Sequence, residues 1–317
     1  MTNSEHCDVL TAVVLTYNEA PNIRDCLESM KDFCQIFVVD SGSTDETVEI
    51  CKEYTSNIYT NPYENHANQW QWALENLPIK TEWFLALDAD FTVTSKLKER
   101  MALELATLPE GTAGVYVRHL YQFGGGLIRF GGTKQYWLRL IRRGRAKPDL
   151  SDLVDFRFIV DGEVLQWPEA VLEYNRHDDD ISVWLQKQDK FSLRLAVEEE
   201  LRRKGSHHWQ IRPRFFGRTD ERFAWLRDRW LVLPLFVRPC LYFIYRYFIA
   251  LGFLDGRAGF LYHVLQGFWL RLVVDWKILQ IRKLGMTEET LTDFSFFMLK
   301  KPEGSVVKLF DAYKDRR

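Results

Sequence analysis

Asp88 and Asp90 stand directly after the apolar run Trp83-Phe84-Leu85-Ala86-Leu87. Two carboxylates one residue apart, where a buried strand ends, concentrate negative charge that something positive must answer. Hard divalent cations such as Mn²⁺ or Mg²⁺ take oxygen ligands and commonly bridge a carboxylate to substrate phosphates. A metal held there neutralises a leaving diphosphate. Two further polar clusters close apolar runs in the same way: Thr16-Tyr17-Asn18-Glu19, and Asp40-Ser41-Gly42-Ser43-Thr44-Asp45. Taken singly, each of these two is equally well a helix cap or a turn, which Asn, Asp, Ser and Gly form everywhere.

The elements around these clusters decide whether they meet. From residue 9 to about 121, short β-rich apolar runs alternate with helix-length amphipathic segments, the pattern of a parallel sheet wrapped by crossover helices. Strands are expected at 9–16, 36–39, 58–59, 83–87, 115–121 and 136–141, the last two separated by the turns at Gly124-Gly125-Gly126 and Gly131-Gly132. Helices are expected around Ile23, Leu27 and Met30, over 45–54 behind a Thr44 cap, over 67–77, from Thr94 or Ser95 through Leu105, and from Asp180 or Ser182 through Trp184, Phe191 and Leu195. In an open α/β sheet, ligands bind beyond the carboxyl ends of the strands, so the three clusters line one crevice.

Their order and spacing resemble the family 2 glycosyltransferases. The resemblance runs through Val14-Leu15-Thr16-Tyr17-Asn18-Glu19, Val38-Val39-Asp40-Ser41-Gly42-Ser43-Thr44-Asp45-Glu46-Thr47 and Leu85-Ala86-Leu87-Asp88-Ala89-Asp90. It extends to Asn65-His66-Ala67-Asn68-Gln69 and, more loosely, to Trp137-Leu138-Arg139-Leu140 and Gly252-Phe253-Leu254-Asp255-Gly256. The sequence is most similar to the branch that includes bacterial lipopolysaccharide-core β-glucosyltransferases. The resemblance implies an α/β fold of the GT-A type, Rossmann-like, with a mostly parallel central sheet flanked by helices. It implies a nucleotide-diphospho-sugar donor, a UDP-sugar, bordered by Thr16, Tyr17, Asn18, Glu19, Asp40, Ser41, Gln69, Asp88 and Ala89, with Asp90 and Asp88 serving the metal-diphosphate. The position after Gln69, often basic in that branch, is Trp70 here.

An inverting transfer needs a carboxylate that takes the acceptor hydroxyl's proton. Asp149, Asp152, Asp155, Asp161 and Glu163 all follow the basic stretch 139–147, and composition does not choose among them. The branch shows a Glu/His element before a Val-Asp-Gly turn; Val154-Asp155-Phe156-Arg157 stands in that place, so the resemblance favours Asp155, with Asp152 second. Arg139, Arg142, Arg143 and Arg145 suit a donor diphosphate or a phosphorylated acceptor, and equally a charged strand edge. His177 reads as a loop residue ahead of a helix.

Beyond residue 205 the character changes. Between Arg202 and Arg246 basic residues far outnumber Asp220, Glu221 and Asp228, interleaved with Trp209, Phe215, Phe216, Phe223, Trp225 and Trp230, a pattern suited to anionic lipid headgroups. Pro234, Arg238, Pro239 and Arg246 interrupt the apolar stretch 230–254, whereas a spanning helix wants about 20 mostly apolar residues. The stripe Leu261, Leu265, Phe268, Leu272, Trp276 and Leu279 is either a helix closing over the core or one lying in a bilayer surface. The expected division is therefore a catalytic domain over 1–205, with a nucleotide-sugar half at about 8–121 and an acceptor half at about 122–205, then a basic, aromatic, helical, membrane-associating region over 206–317.

Net charge −2 and a pI near 6.4 lack the basic excess of nucleic-acid binders. Five widely spaced cysteines without metal-ligand spacing suit a reducing compartment. Residues 1–10 are polar and carry no apolar leader, so the expected place is the cytoplasm, peripheral on the cytoplasmic face of the inner membrane. The expected partners are the donor, a lipid-linked or glycan acceptor and an anionic membrane surface. A silent nucleotide-sugar-binding scaffold is the rival from another class. Nucleotidyl transfer is disfavoured, because residues 16–21 lack a Gly-rich basic phosphate loop.

Overall fold

The computed structural model describes residues 9–31, 35–132, 135–150, 157–205, 211–300 and 305–315. Strands β1 (Leu10–Thr16), β2 (Gln35–Asp40), β3 (Ile58–Thr60) and β4 (Trp83–Asp88) lie parallel in the order β3-β2-β1-β4. Helices α1 (Ala20–Glu28), α2 (Thr47–Lys52) and α3 (His66–Asn76) connect them. Every residue of β1 is buried, which is why it reads as a continuous apolar run. Alternate residues feed two layers: Leu10, Ala12 and Val14 pack with Ile23 and Leu27 of α1, while Val13 and Leu15 pack with Ala67, Trp70 and Ala73 of α3.

The second half widens the same sheet. It comprises β5 (Phe91–Val93), α4 (Ser95–Glu104), β6 (Thr112–Phe123), β7 (Gly126–Ile128), β8 (Gln135–Arg142), β9 (Ala146–Pro148), β10 (Phe158–Val160) and β11 (Glu163–Glu173). The order continues β4-β8-β6-β11-β5, with β8 antiparallel to both neighbours and β11 parallel to β6; β9 and β10 form a separate hairpin. The chain thus has a GT-A-like fold, a mostly parallel central sheet flanked by helices.

Local capping explains several boundaries. Asn65 caps α3 through Asn68 N at 2.8 Å, and Thr94, of the two expected candidates, caps α4. The expected start of α2 at Asp45 is displaced to Thr47: the Thr44 hydroxyl, the group that would cap, turns to Asn18 Oδ1 at 3.4 Å, as does the Thr44 N–H at 2.7 Å. Asp45 takes over the end of the helix, accepting from Thr47 N at 3.1 Å.

The remainder is helical: α5 (Ile181–Lys204), α6 (Thr219–Val232), α7 (Arg238–Ile244) running on as a π-helical turn to Ile249, α8 (Gly256–Tyr262), a π-helical stretch His263–Trp269, α9 (Leu270–Lys283), α10 (Glu288–Lys300) and α11 (Val306–Lys314). Asp180, the first of the two expected candidates, caps α5 through Ser182 N at 2.8 Å. Leu193, Ala196, Val197 and Leu201 of α5 form a second core with Val274 and Ile278 of α9, Phe294 of α10 and Phe310 of α11. At its other end, Trp184 of α5 packs edge-on to Phe123 of β6. One helix therefore belongs to both the sheet and the helical part.

Part of the basic excess after residue 202 is internal: Arg238 and Arg246 are buried, whereas Arg203, Lys204, Arg212, Arg214, Arg218, Arg222 and Arg229 are exposed. Glu198, Glu199 and Glu200 are three consecutive buried carboxylates, answered by Arg202 and Arg227, by Arg238 and by Arg203 and Arg282 respectively. Arg238 also donates through Nε to Asp275 Oδ1 at 2.7 Å, while Asp275 Oδ2 accepts from Phe236 N at 2.7 Å. Among the described residues no single helix is long and apolar enough to cross a membrane; one pair, Arg238–Ile249 and Gly252–Lys283, passes together but is bent by 69°.

Removing one partner from such a buried network strands the others. Arg238→Ala leaves Glu199 and Asp275 without their shared cation and is expected to cost about 3–5 kcal/mol. Urea unfolding of the purified variant measures this; a loss below about 1 kcal/mol would show the carboxylates to be solvated.

Candidate active site

The register of the parallel strands sets the site. Thr16 of β1 faces Asp40 of β2, and Leu15 faces Asp88 of β4, so the ends of three adjacent strands open into one crevice. Asn18 then turns with φ 53°, a left-handed conformation Asn tolerates, and its N–H reaches Ser43 Oγ at 2.8 Å. Glu19 N donates to Thr47 Oγ1 at 2.8 Å and Ala20 N to Asp45 Oδ2 at 3.2 Å. The first two clusters are thereby laced into one surface.

Several expected donor-site residues meet this lacing. Asp40 is buried and its carboxylate accepts from Gly42 N and Ser43 N, both at 2.9 Å, and from Ser43 Oγ at 2.5 Å. Gln69 is also buried, its amide donating to Ser41 Oγ and Asn61 O and accepting from Asn61 Nδ2. Both shape the loop bearing Ser41. Ala89 continues the ladder, its N–H donating to Leu15 O at 3.1 Å. Among the described residues Thr16 Oγ1 is buried without a partner, and the Tyr17 ring, 55% exposed, keeps capacity for a ligand. Trp70, in the place often basic in related sequences, is fully buried edge-on to Phe158, which is why it adds nothing to the crevice.

The acidic pair has two different environments. Asp88 lies 2.9 Å from His66 Nε2 and 3.4 Å from Arg139 Nη1. Burial alone would raise its pKa, but His66 and Arg139 outweigh that and hold it down to about 2. Asp90 receives Asn175 Nδ2 at 3.0 Å. Burial, with Glu173, Glu19 and Asp88 nearby, pushes its pKa well above the ordinary carboxylate range. Glu173 ends β11; burial would raise its pKa too, but His119 at 2.5 Å brings it below its usual value.

The roof comes from residues that the opening motifs do not reveal. Asn175 links Asn22, Asp90 and His177 N through its amide, and His177 Nε2 lies 3.1 Å from the Asn18 carbonyl. Lys187 of α5 pairs with Asp178 at 3.5 Å; burial works against its charge, but Asp178, Asp90, Glu173 and Glu19 raise its pKa overall. Arg194, two turns on, hydrogen-bonds Tyr63 in the neighbourhood of Asp88. A sequence signal for Glu173 does exist, since Ala170-Val171-Leu172-Glu173 is another apolar run ending in an acid. Of the four clustered arginines only Arg139 reaches the crevice; Arg142 pairs with Glu82 at the opposite end of β4. Glu163 begins β11, ten residues or about 33 Å from Glu173. Asp152 and Asp155 lie outside the described residues.

The donor chemistry suits a cation shared with a ligand. Among the described residues no three His, Cys, Asp or Glu side chains come together as a metal cage. Mg²⁺-type sites commonly use one or two carboxylates and complete their shell with substrate phosphates and water. Asp90, with its crowded negative charge, and Asp88 fit that arrangement.

Residues 11–165 match the family model described as Glycosyl transferase family 2. Those residues, just under half of the chain, resemble glycosyltransferase family 2. The chain is 31% identical over 160 residues to the lipopolysaccharide core biosynthesis glycosyltransferase LpsC of Rhizobium meliloti, covering 49% of this chain and 58% of that protein. It is 34% identical over 96 residues to the prophage-derived glycosyltransferase SunS of Bacillus subtilis, covering 29% of this chain and 22% of SunS. The matches thus span less than two thirds of these relatives' lengths. Among solved structures, mannosyl-3-phosphoglycerate synthase from Rubrobacter xylanophilus aligns over 65% of this chain and 77% of that one, with 15% identity and a TM-score of 0.41.

Crowding at Asp90 has a consequence for stability. Asp90→Asn removes one of the competing charges while keeping a side chain of the same size beside Asn175, so without metal or donor the variant is expected to melt higher. Relief of about 1 kcal/mol would raise the midpoint by roughly 2–4 °C. Scanning calorimetry in chelator measures it, and a lower midpoint would contradict the electrostatic picture.

Proposed function

We propose that this chain moves a sugar from a nucleotide-diphospho-sugar, such as a UDP-sugar, to a lipid-linked or cell-surface glycan acceptor of the lipopolysaccharide or exopolysaccharide type, inverting the anomeric centre, at the cytoplasmic face of the inner membrane. The observation that carries the reading is the convergence of Thr16, Asp40 and Asp88 at one sheet edge, in register, beside an Asp90 crowded by other carboxylates. The glycosyltransferase names of the relatives support the reaction class, and the name of LpsC supports a lipopolysaccharide-type acceptor.

Each residue then has a task. The exposed Tyr17 ring offers a face for the base, and the partnerless Thr16 hydroxyl offers a hydrogen bond to the nucleoside. Asp40 and Gln69 fix the loop that carries Ser41 against the donor. Asp88, held ionised by His66 and Arg139, presents a fixed acceptor to the ribose or metal. Asp90 and Asp88 would hold Mn²⁺ or Mg²⁺, which when bound supplies positive charge against the leaving diphosphate. Lys187 adds a cation from the roof.

The acceptor hydroxyl must lose its proton as it attacks from the face opposite the diphosphate. Asp155 takes that proton in this reading, with Asp152 second. Asp178 is the alternative, because it lies in the site beside Tyr121 and Lys187 and its burial raises its proton affinity above an ordinary aspartate.

The decisive assay incubates the purified chain with Mn²⁺ and a panel of nucleotide-sugars, reading thermal shift and donor hydrolysis. A shift with one donor that vanishes in chelator and in Asp90→Ala is expected. No shift with any donor would favour the silent scaffold. With the acceptor in hand, Asp155→Asn should lower kcat by about 100- to 10,000-fold with donor binding retained. Near-normal turnover in that variant, with loss in Asp178→Asn, would transfer the role to Asp178.

A further inference from the structure

About half of the large apolar side chains that are exposed among the described residues lie between Val232 and Leu261, among them Val232 at 78%, Ile249 at 68% and Phe248 at 55%. Charge is nearly absent from that surface. The segment contains Arg238, Arg246, Asp255 and Arg257, and of these only Arg257 is exposed. Arg238 is spent on Glu199 and Asp275, and Arg246 donates to Gly131 O at 2.9 Å. Asp255 Oδ2 accepts from Arg129 N and Phe130 N at 2.9 and 2.8 Å. A water-facing surface is ordinarily about 25–35% charged, and exposed apolar patches beyond a few hundred Å² mark an interaction site.

Dimensions select the partner. Arg238–Ile249 is one helical arm of twelve residues, about 18 Å long, against a hydrocarbon core of about 30 Å. The chain then bends by 69° through Leu251, whose φ is 63°, so the arm reaches through about one leaflet and the chain turns aside. The second arm is exposed at its beginning. From Leu270 on, Leu270, Val274 and Ile278 are buried against the protein, and Trp276 on the other side is 53% exposed. At the bend Ala250 N donates to Tyr245 O and Ala250 O accepts from Gly131 N, the internal pairing that an apolar solvent demands. Exposed Arg129, Arg229 and Arg257 adjoin the patch, against the exposed acid Asp228, which suits anionic headgroups.

We propose that residues 232–261 form a wedge that enters one leaflet of an anionic bilayer and holds the acceptor side of the crevice against it. The wedge is rigidly keyed to the sheet. His263 is fully buried, and a Cβ at Gly131 or Gly252 would come within 2.1 or 2.4 Å of its ring, so only glycine admits this fit. Tyr262 packs 5.2 Å from Tyr121, whose hydroxyl donates to Asp178. Docking therefore fixes the height of the site above the lipid. Only the step from docking to a lipid-anchored acceptor rests on the proposed transferase reading; insertion itself does not.

Flotation of the full chain with phosphatidylethanolamine–phosphatidylglycerol vesicles tests it, at about 0.1 M and about 1 M salt, where the screening length falls from about 10 to about 3 Å. The chain is expected to float at both salts, because the wedge is held by apolar burial. Phe248→Asp/Ile249→Asp, and separately Leu254→Asp, should cut the floating fraction by about tenfold or more while circular dichroism and the donor thermal shift stay unchanged. Three results would overturn the proposal: no flotation at low salt, release at high salt, or a dimer without flotation that the double substitution splits. Flotation with no response to any donor would sink the transferase reading and leave the wedge intact.

Discussion

Asp90 shares the end of a parallel sheet with Glu19, Asp88 and Glu173, and the architecture above the strands follows from how that charge is distributed. Two carboxylates about 4 Å apart repel by about 4 kcal/mol at the effective dielectric of a protein's outer shell, comparable to a domain's whole stability margin. The fold answers two of them with positioned side chains. Arg139 and His66 stand against Asp88, and His119 against Glu173. Among the described residues Asp90 receives only the neutral amide of Asn175, with Lys187 acting at longer range. That residue of unneutralised charge is what makes the crevice a place for a cation brought in with a ligand, and it costs stability until one arrives.

The helical part solves the opposite problem by the same means. Glu198, Glu199, Glu200 and Asp275 are buried, and each has its arginine. Buried ion pairs of this kind add little over an apolar core, yet removing one member is severe, so they act as a register for the helices that carry them. Their other effect is on the surface. Arg238 and Arg246 face inward, which leaves the outside of α7 and its π-helical turn apolar.

The strand-end clusters were legible because a buried parallel strand must be apolar until it stops, and each motif residue follows such a stop. Alternation of β-rich and amphipathic runs likewise located β1 to β4, α1, α3 and α4 to within one or two residues. The start of α2 escaped because a tertiary bond from Thr44 to Asn18 overrode local capping. Glu173, Asn175 and Lys187 escaped because their approach to Asp90 depends on β11 entering beside β6 and on α5 folding back, contacts of long sequence separation that no local pattern encodes. Arg139 and Arg142 illustrate the same limit: three residues apart on one strand, they serve opposite ends of the sheet. The basic character of residues 202–246 was visible as composition, but composition carries no direction: Arg238 and Arg246 turn inward while Arg212, Arg214, Arg218, Arg222 and Arg229 stay exposed.

Helix α5 joins these two halves of the molecule. Over 24 residues, about 36 Å, it carries Lys187 and Arg194 at the crevice and then Glu198 to Glu200 in the helical core. Its first turns pack Trp184 on Phe123 of the sheet and on Trp269, at the end of the π-helical stretch behind the wedge. A rigid helix cannot shift at one end alone. Anything that seats α7 and α8 on another surface must transmit its orientation through Glu199, Arg238 and Trp184 to the cations over Asp90, so the crevice and the wedge keep one fixed geometry. A transferase whose donor is soluble and whose acceptor is anchored has a physical use for that rigidity, since the donor finds the crevice by diffusion while the acceptor hydroxyl must be met at one height.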